Sequence, residues 1–71
     1  ELNYLLDVNL DNPININAKV RYRAKEAKAI LYPPKNGISK IEFEEPQRAI
    51  TPGQSVVFYI GNTVLGGGKI I

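Results

Sequence analysis

Between Ile14 and Ala24 every second residue is apolar: Ile14, Ile16, Ala18, Val20, Tyr22 and Ala24 alternate with Asn15, Asn17, Lys19, Arg21 and Arg23. A period of two held over this length puts one set of side chains on each face of a β-strand and does not fit the 3.6-residue period of a helix. A chain that contains such a strand has to pair both of its edges and cover its apolar face.

The remaining sequence supplies short partners. A weaker alternation of Leu2, Tyr4, Leu6, Val8 and Leu10 comes first, and a shorter strand is expected within it before Asp11-Asn12-Pro13 breaks the chain. An apolar stretch from Ala27 to Tyr32 ends at Pro33-Pro34. Asn36-Gly37 follows, the pair that best accepts the two positive φ values of a type I′ turn. Ile41 and Phe43 then alternate with Lys40, Glu42 and Glu44, which predicts an antiparallel hairpin; Pro46, with no N–H to donate, stops the second strand. Thr51-Pro52-Gly53-Gln54 has the residues of a type II turn, Pro presetting φ and Gly accepting the positive value. Val56-Val57-Phe58-Tyr59-Ile60 is apolar on both faces, so both sides of this strand are expected to be covered. Gly61-Asn62 offers another two-residue hairpin into Thr63-Val64-Leu65. Six or seven short strands with tight turns and no helix predict an all-β protein, a small antiparallel β-barrel whose closure leaves no free sheet edge.

Composition narrows the function. The 71 residues include no Cys, His, Met or Trp, which removes thiolate nucleophiles, imidazole bases, Cys/His zinc sites and disulfides. A self-contained enzyme is not expected, and no metal site is predicted. The formal charge of +2 permits an anionic partner without requiring one. No apolar run approaches the roughly 18 residues of a membrane span. These features predict a soluble, cytoplasmic protein without a membrane partner. Beginning at Glu1 and lacking Met, residues 1–71 are read as one domain cut from a longer protein.

Lys19, Arg21, Arg23 and Lys25 fall on one side of the long alternating segment, spaced by about 6.6 Å if all lie on one strand. Such a row could follow a phosphate backbone, with affinity lost as salt rises. It is also the pattern of a solvated face whose cations pair across strands with Glu26, Glu42 or Glu44. Gly66-Gly67-Gly68-Lys69 has the glycines of a phosphate loop but not its spacing, and no Ser or Thr follows Lys69. Three glycines in a strand point instead to a bulge or a close approach of two backbones. Glu44 and Glu45 are adjacent and would face opposite ways on a strand, which does not suit one shared ion. Arg48, just past Pro46, is a candidate for a phosphate, a carboxylate or another domain. Tyr22, Phe43 and Phe58 are assigned to the core. Tyr59 faces away from Phe58 and, with Val57, is a candidate for contact with a neighbouring domain.

The order of these motifs carries a family resemblance. Arg21-Tyr22-Arg23, Glu45-Pro46 with Ala49, Thr51-Pro52-Gly53-Gln54 with Val57-Phe58-Tyr59, Gly61, and Leu65-Gly66-Gly67-Gly68 with Ile70 together resemble the C-terminal domain of tRNA-specific 2-thiouridylases. These are also called tRNA-uridine 2-sulfurtransferases or, in older usage, tRNA (5-methylaminomethyl-2-thiouridylate)-methyltransferases. The match runs without gaps from about Ala18 to the end, and Asn3-Tyr4-Leu5 is similar to the family's opening strand. Ala24 stands where the family usually has Gln after R-Y-R, and Glu44 where it often has Asp.

The resemblance implies a transferase that uses ATP with magnesium to thiolate carbon 2 of the tRNA wobble uridine. Its nucleotide-binding and cysteine machinery would lie in upstream domains supplied by a sulfur-relay protein. The terminal barrel would resemble those of translation elongation factors. No catalytic residue of the family falls within residues 1–71. The barrel is expected to assist tRNA binding at the anticodon arm or active-site closure through Lys19, Arg21, Arg23, Lys25 and Arg48. The alternatives are a structural module that docks through Val57 and Tyr59, or a free-standing RNA-binding barrel.

Overall fold

A computed structural model describes residues 2–6, 8–20, 25–47 and 50–71, Leu2 by its backbone alone. Six strands account for most of these residues: β1 (Leu2–Leu6), β2 (Ile14–Lys19), β3 (Ala27–Leu31), β4 (Ile38–Phe43), β5 (Ser55–Ile60) and β6 (Thr63–Ile70). They close into a barrel in the order β1-β4-β3-β2-β5-β6, with every pairing antiparallel. The all-β barrel expected from the strand and turn pattern is therefore the fold, with six strands among the described residues.

The turns follow from their residues. Asn36 (φ 55°) and Gly37 (φ 78°) both adopt positive φ, and Lys35 and Ile38 exchange two backbone hydrogen bonds of 2.8 and 3.1 Å across them. That is the predicted type I′ hairpin between β3 and β4. Gly53 (φ 93°) occupies the third place of the Thr51–Gln54 turn, closed by the Gln54 amide donating to the Thr51 carbonyl at 3.3 Å. The turn is held against β6: the Gly53 amide donates to the Ile70 carbonyl at 2.7 Å, and the Ile70 amide to that of Gln54 at 2.8 Å.

The interior is formed by Leu5, Ile16, Ala18, Ala29, Leu31, Ile41, Phe43, Val56, Phe58 and Ile70, so that each strand contributes. Large and small side chains meet across the ladders. Ala18 lies opposite Phe58 and Ala29 opposite Phe43, which lets two phenylalanines enter a narrow barrel without clash. Val8, Leu10, Ile14, Val20, Ala27 and Ile50 pack around this core.

Two sequence expectations need correction, and the facing of β1, a strand expected in this segment, is a further finding. The strand beginning at Ile14 ends at Lys19 and Val20 already bends, because β2 pairs with β3 as far as Ala18↔Ala27 and the chain must reverse between them. In β1 the apolar alternation through Leu2, Tyr4 and Leu6 does not mark the inner face. Leu5 is fully buried while Tyr4 is 48% exposed, since the register Leu5↔Ser39 and Asn3↔Ile41 turns Leu5 inward. Finally, β5 is covered fully on one side only: Val56 and Phe58 are buried, Val57 and Tyr59 are half-buried, and Ile60 is exposed.

The three glycines of β6 behave as their residue type suggests. Register shifts by one residue between Phe58↔Gly66 and Tyr59↔Val64, leaving Leu65 as the extra residue of a bulge. A Cβ on Gly67 would stand 2.7 Å from the Val56 carbonyl oxygen, and one on Gly68 2.8 Å from that of Leu6. No side chain fits where β6 passes β5 and β1.

Candidate nucleic-acid and docking surfaces

Lys19 ends β2 on its outer face, half-buried and opposite Val57 of β5. Lys25 is exposed just ahead of β3 rather than on the same strand as Lys19, so the two do not form one evenly spaced row along a strand. Arg21, Arg23 and Arg48, the remaining candidates for phosphate contact, lie outside the described residues, as does Tyr22. Of the carboxylates considered as partners for Lys19, Glu42 lies on β4, with Glu44 just beyond it, and β3 intervenes. Cross-strand pairing with Lys19 is therefore closed to both. Glu26 sits just beyond the last β2–β3 pair, close to the end of the strand that carries Lys19.

Val57 and Tyr59 face outward from β5, as alternation with buried Val56 and Phe58 requires. Tyr59 is opposite Asn17, and Asn17 is opposite Lys28. The Glu44 amide donates to the Lys28 carbonyl at 2.9 Å. Tyr59, Asn17, Lys28 and Glu44 border a groove of about 750 Å³ across β5, β2, β3 and β4, whose lining also includes Asn15, Ile30 and Glu42. Its charges are mixed, one lysine against two glutamates, which does not favour a polyanion along it.

A second cleft, of about 800 Å³, lies toward the other end of β4 between Tyr4, Tyr32, Pro33, Lys35, Asn36, Ile38, Lys40 and Ile71. Pairing of Tyr4 with Lys40 fixes one flank, and the Tyr32 amide donating to the Lys40 carbonyl at 2.9 Å fixes the other. Lys40 Nζ stands 4.3 Å from the centroid of the Tyr32 ring, within cation–π range. The Tyr32 hydroxyl donates to Glu42 Oε1 at 2.9 Å. That hydrogen bond, then partial desolvation and the negative charge of Glu42, raise the Tyr32 pKa above its usual value. Sequence reading missed this cleft because its residues come from three separate segments. The signal available was the alternation that sends Lys40 outward from β4, but only the register brings Tyr4 and Tyr32 to its sides.

The glycines of β6 do not form a phosphate loop. Gly67 and Gly68 are ladder partners of Val57 and Val56, so their backbones run within the sheet instead of curling into a nest of free N–H groups. Among the described residues no cluster of three or more His, Cys, Asp or Glu could hold a metal ion. No helix among them is long and apolar enough to cross a membrane.

Comparison with known proteins agrees with this architecture. The chain is 51% identical over 70 residues to the tRNA-specific 2-thiouridylase MnmA of Acetivibrio thermocellus, covering 99% of this chain and 20% of that protein. It is 54% identical over 70 residues to the protein of the same name from Clostridium botulinum strain Alaska E43, covering 99% and 19%. For that of Moorella thermoacetica the identity is 52% over 68 residues, covering 96% and 19%. The chain therefore spans about one fifth of the length of these curated relatives. The model of a family described as the aminomethyltransferase beta-barrel domain matches residues 1–70, in accord with the closed barrel, and the chain belongs to that family.

Proposed function

We propose that this barrel is the non-catalytic C-terminal domain of an ATP-dependent, cytoplasmic tRNA 2-thiouridylase and helps that enzyme hold the anticodon arm of tRNA or close its active site. The observation that carries this reading is identity of about one half along nearly the whole chain to proteins named for that activity. The absence of Cys and His from the sequence supports placing the chemistry elsewhere in the polypeptide. ATP with magnesium, the sulfur-handling cysteines and the sulfur-relay partner would then belong to upstream domains.

In this reading Lys19 and Lys25, at the two ends of the β2–β3 connection, would act with Arg21, Arg23 and Arg48 on phosphates. They would position the RNA without reading its bases. The test is Arg21→Glu/Arg23→Glu in the full-length enzyme, with tRNA affinity measured over a salt series. Each lost phosphate contact lowers the slope of log affinity against log salt by about 0.7 to 0.9. Unchanged affinity and slope would remove the RNA-contact role of this segment.

A structural reading rests on a different observation. Val57 and Tyr59 face outward and are only half-buried. Docking of the upstream domains on this side of β5 predicts faster proteolytic cleavage between domains in a full-length Val57→Lys/Tyr59→Lys variant. Cleavage at the wild-type rate would rule that docking out.

A further inference from the structure

The cleft beside β4 combines an aromatic surface with two lysines, and no Asp or Glu is among its described lining residues. Tyr4 and Tyr32 stand on the two sides of Lys40 in one row across β1, β4 and the segment after β3. At a strand spacing of about 4.8 Å their attachment points are about 10 Å apart. Tyr4 is 48% exposed and Ile38 39% exposed, and Ile71 flanks the row, its amide donating to the Tyr4 carbonyl at 3.1 Å. Lys35 stands at the rim. Glu42 does not line the cleft, and one of its oxygens accepts the Tyr32 hydroxyl.

We propose that this cleft is a stacking site for an unpaired nucleotide of RNA, with a base laid on the Tyr4 ring and the adjoining phosphate held between Lys40 and Lys35. The inference rests on the reading of the barrel as part of a tRNA-binding enzyme and places a contact on a surface separate from the arginine segment. Three features select this partner. Tyrosine rings take any base through their π-faces, without hydrogen-bond readout. Two lysines with no Asp or Glu among the described lining residues favour an anion over a neutral apolar segment. Lys40 is held in place by the Tyr32 ring and so stays at the centre of the row. The mixed-charge groove over Tyr59 has none of this bias.

The experiment uses the full-length enzyme with two probes, an unmodified tRNA transcript and a short blunt RNA duplex, each titrated at several salt concentrations. Tyr4→Ala is expected to weaken transcript binding about tenfold, the range of one stacked base, with the salt slope unchanged and duplex binding unaffected. Tyr4→Phe retains the ring and is expected to bind as the wild type does. Lys35→Gln/Lys40→Gln is expected to lower the salt slope for the transcript by about 0.7, one single-strand phosphate contact. Should Tyr4→Ala fail to fold, the lysine variant decides alone. Wild-type affinity and slope in these variants, with Arg21→Glu/Arg23→Glu still weakening the transcript, overturn this site and leave the tRNA reading standing. A changed sedimentation coefficient with unchanged RNA affinity overturns it in favour of a protein partner. A wild-type enzyme that does not bind the transcript overturns the tRNA reading itself, and this inference with it.

Discussion

The backbone of Gly68 passes so close to that of Leu6 that a Cβ on Gly68 would lie 2.8 Å from the Leu6 carbonyl oxygen, with Val8 Cγ2 at 3.2 Å. This is the seam of the barrel, where β1 and β6 share, among the described residues, the pairs Leu5↔Ile70 and Leu6↔Lys69. Because the obstacle is backbone, relief requires the strands to part. Gly68→Ala is therefore expected to destabilise the fold by about 1–3 kcal/mol, as overpacking does, and Gly67→Ala by a similar amount against Val56. Gly66 has nothing within 4 Å of its Cβ position, so Gly66→Ala should fall within about 0.5 kcal/mol of the wild type, like an ordinary surface change. Urea denaturation of the three variants separates the cases, and equal midpoints would refute the close-approach account.

The Ala18–Phe58 pair allows a sharper test of how the interior is filled. Phe58 is 2% exposed, Ala18 1%, and they are direct partners across β2 and β5. Phe58→Ala leaves a cavity that neighbouring strands of a closed barrel cannot readily collapse into, at a cost of about 3–5 kcal/mol. Small domains hold only about 5–15 kcal/mol in total, so the variant should melt far below the wild type or fail to fold. Ala18→Leu should lose about 1–3 kcal/mol through the opposite fault. A double variant Ala18→Leu/Phe58→Ala is expected to recover part of both losses in thermal melts; strict additivity would show that the two side chains do not share one space.

Ser39 is the one polar residue wholly buried among the described residues, at 0% exposure, and its hydroxyl finds no hydrogen-bond partner. It faces inward from β4 opposite Leu5. A buried group left unpaired costs about 1–3 kcal/mol, and alanine removes it with almost no change of volume. Ser39→Ala is expected to raise stability by about 1 kcal/mol, read as a higher urea midpoint at unchanged slope. A lower midpoint would mean that the hydroxyl has a partner, such as a buried water.

Much of this barrel was legible in the sequence because its turns demand particular residues. Asn36-Gly37 and Gly53 take positive φ where the hairpin and type II turn need it, and the glycines of β6 sit at the bulge and the close approaches expected of them. The phase of β1 was not legible, since Leu5 and Leu6 are both apolar and either could have faced inward; the register with β4 decides it. Nor was the end of β2, where alternation continues through Ala24 while the pairing partner Ala27 forces the chain to reverse. The aromatic and basic cleft was hidden for the same reason. Tyr4, Tyr32 and Lys40 meet through non-local pairing that no local pattern encodes.

Tyr32 provides a pH-dependent test of that cleft. Its hydroxyl donates to Glu42 Oε1 at 2.9 Å, and this bond is the main cause of its raised pKa, followed by desolvation and the Glu42 charge. Deprotonation removes the donor and sets a phenolate beside a carboxylate, so the neutral form is favoured in the folded state. The sign follows from linkage. With the folded pKa above the unfolded value of about 10, the stabilisation is fully present below that value and disappears as pH rises through the folded pKa. Glu42→Gln retains an acceptor but removes the charge, and Glu42→Ala removes both. The Tyr32 midpoint should therefore fall in the first and fall further in the second. Near-ultraviolet tyrosinate absorbance reads it, with a Tyr32→Phe variant subtracted to isolate this residue from the other three tyrosines, since the chain has four. A midpoint unmoved by either substitution would show that Glu42 does not hold the Tyr32 hydroxyl in solution.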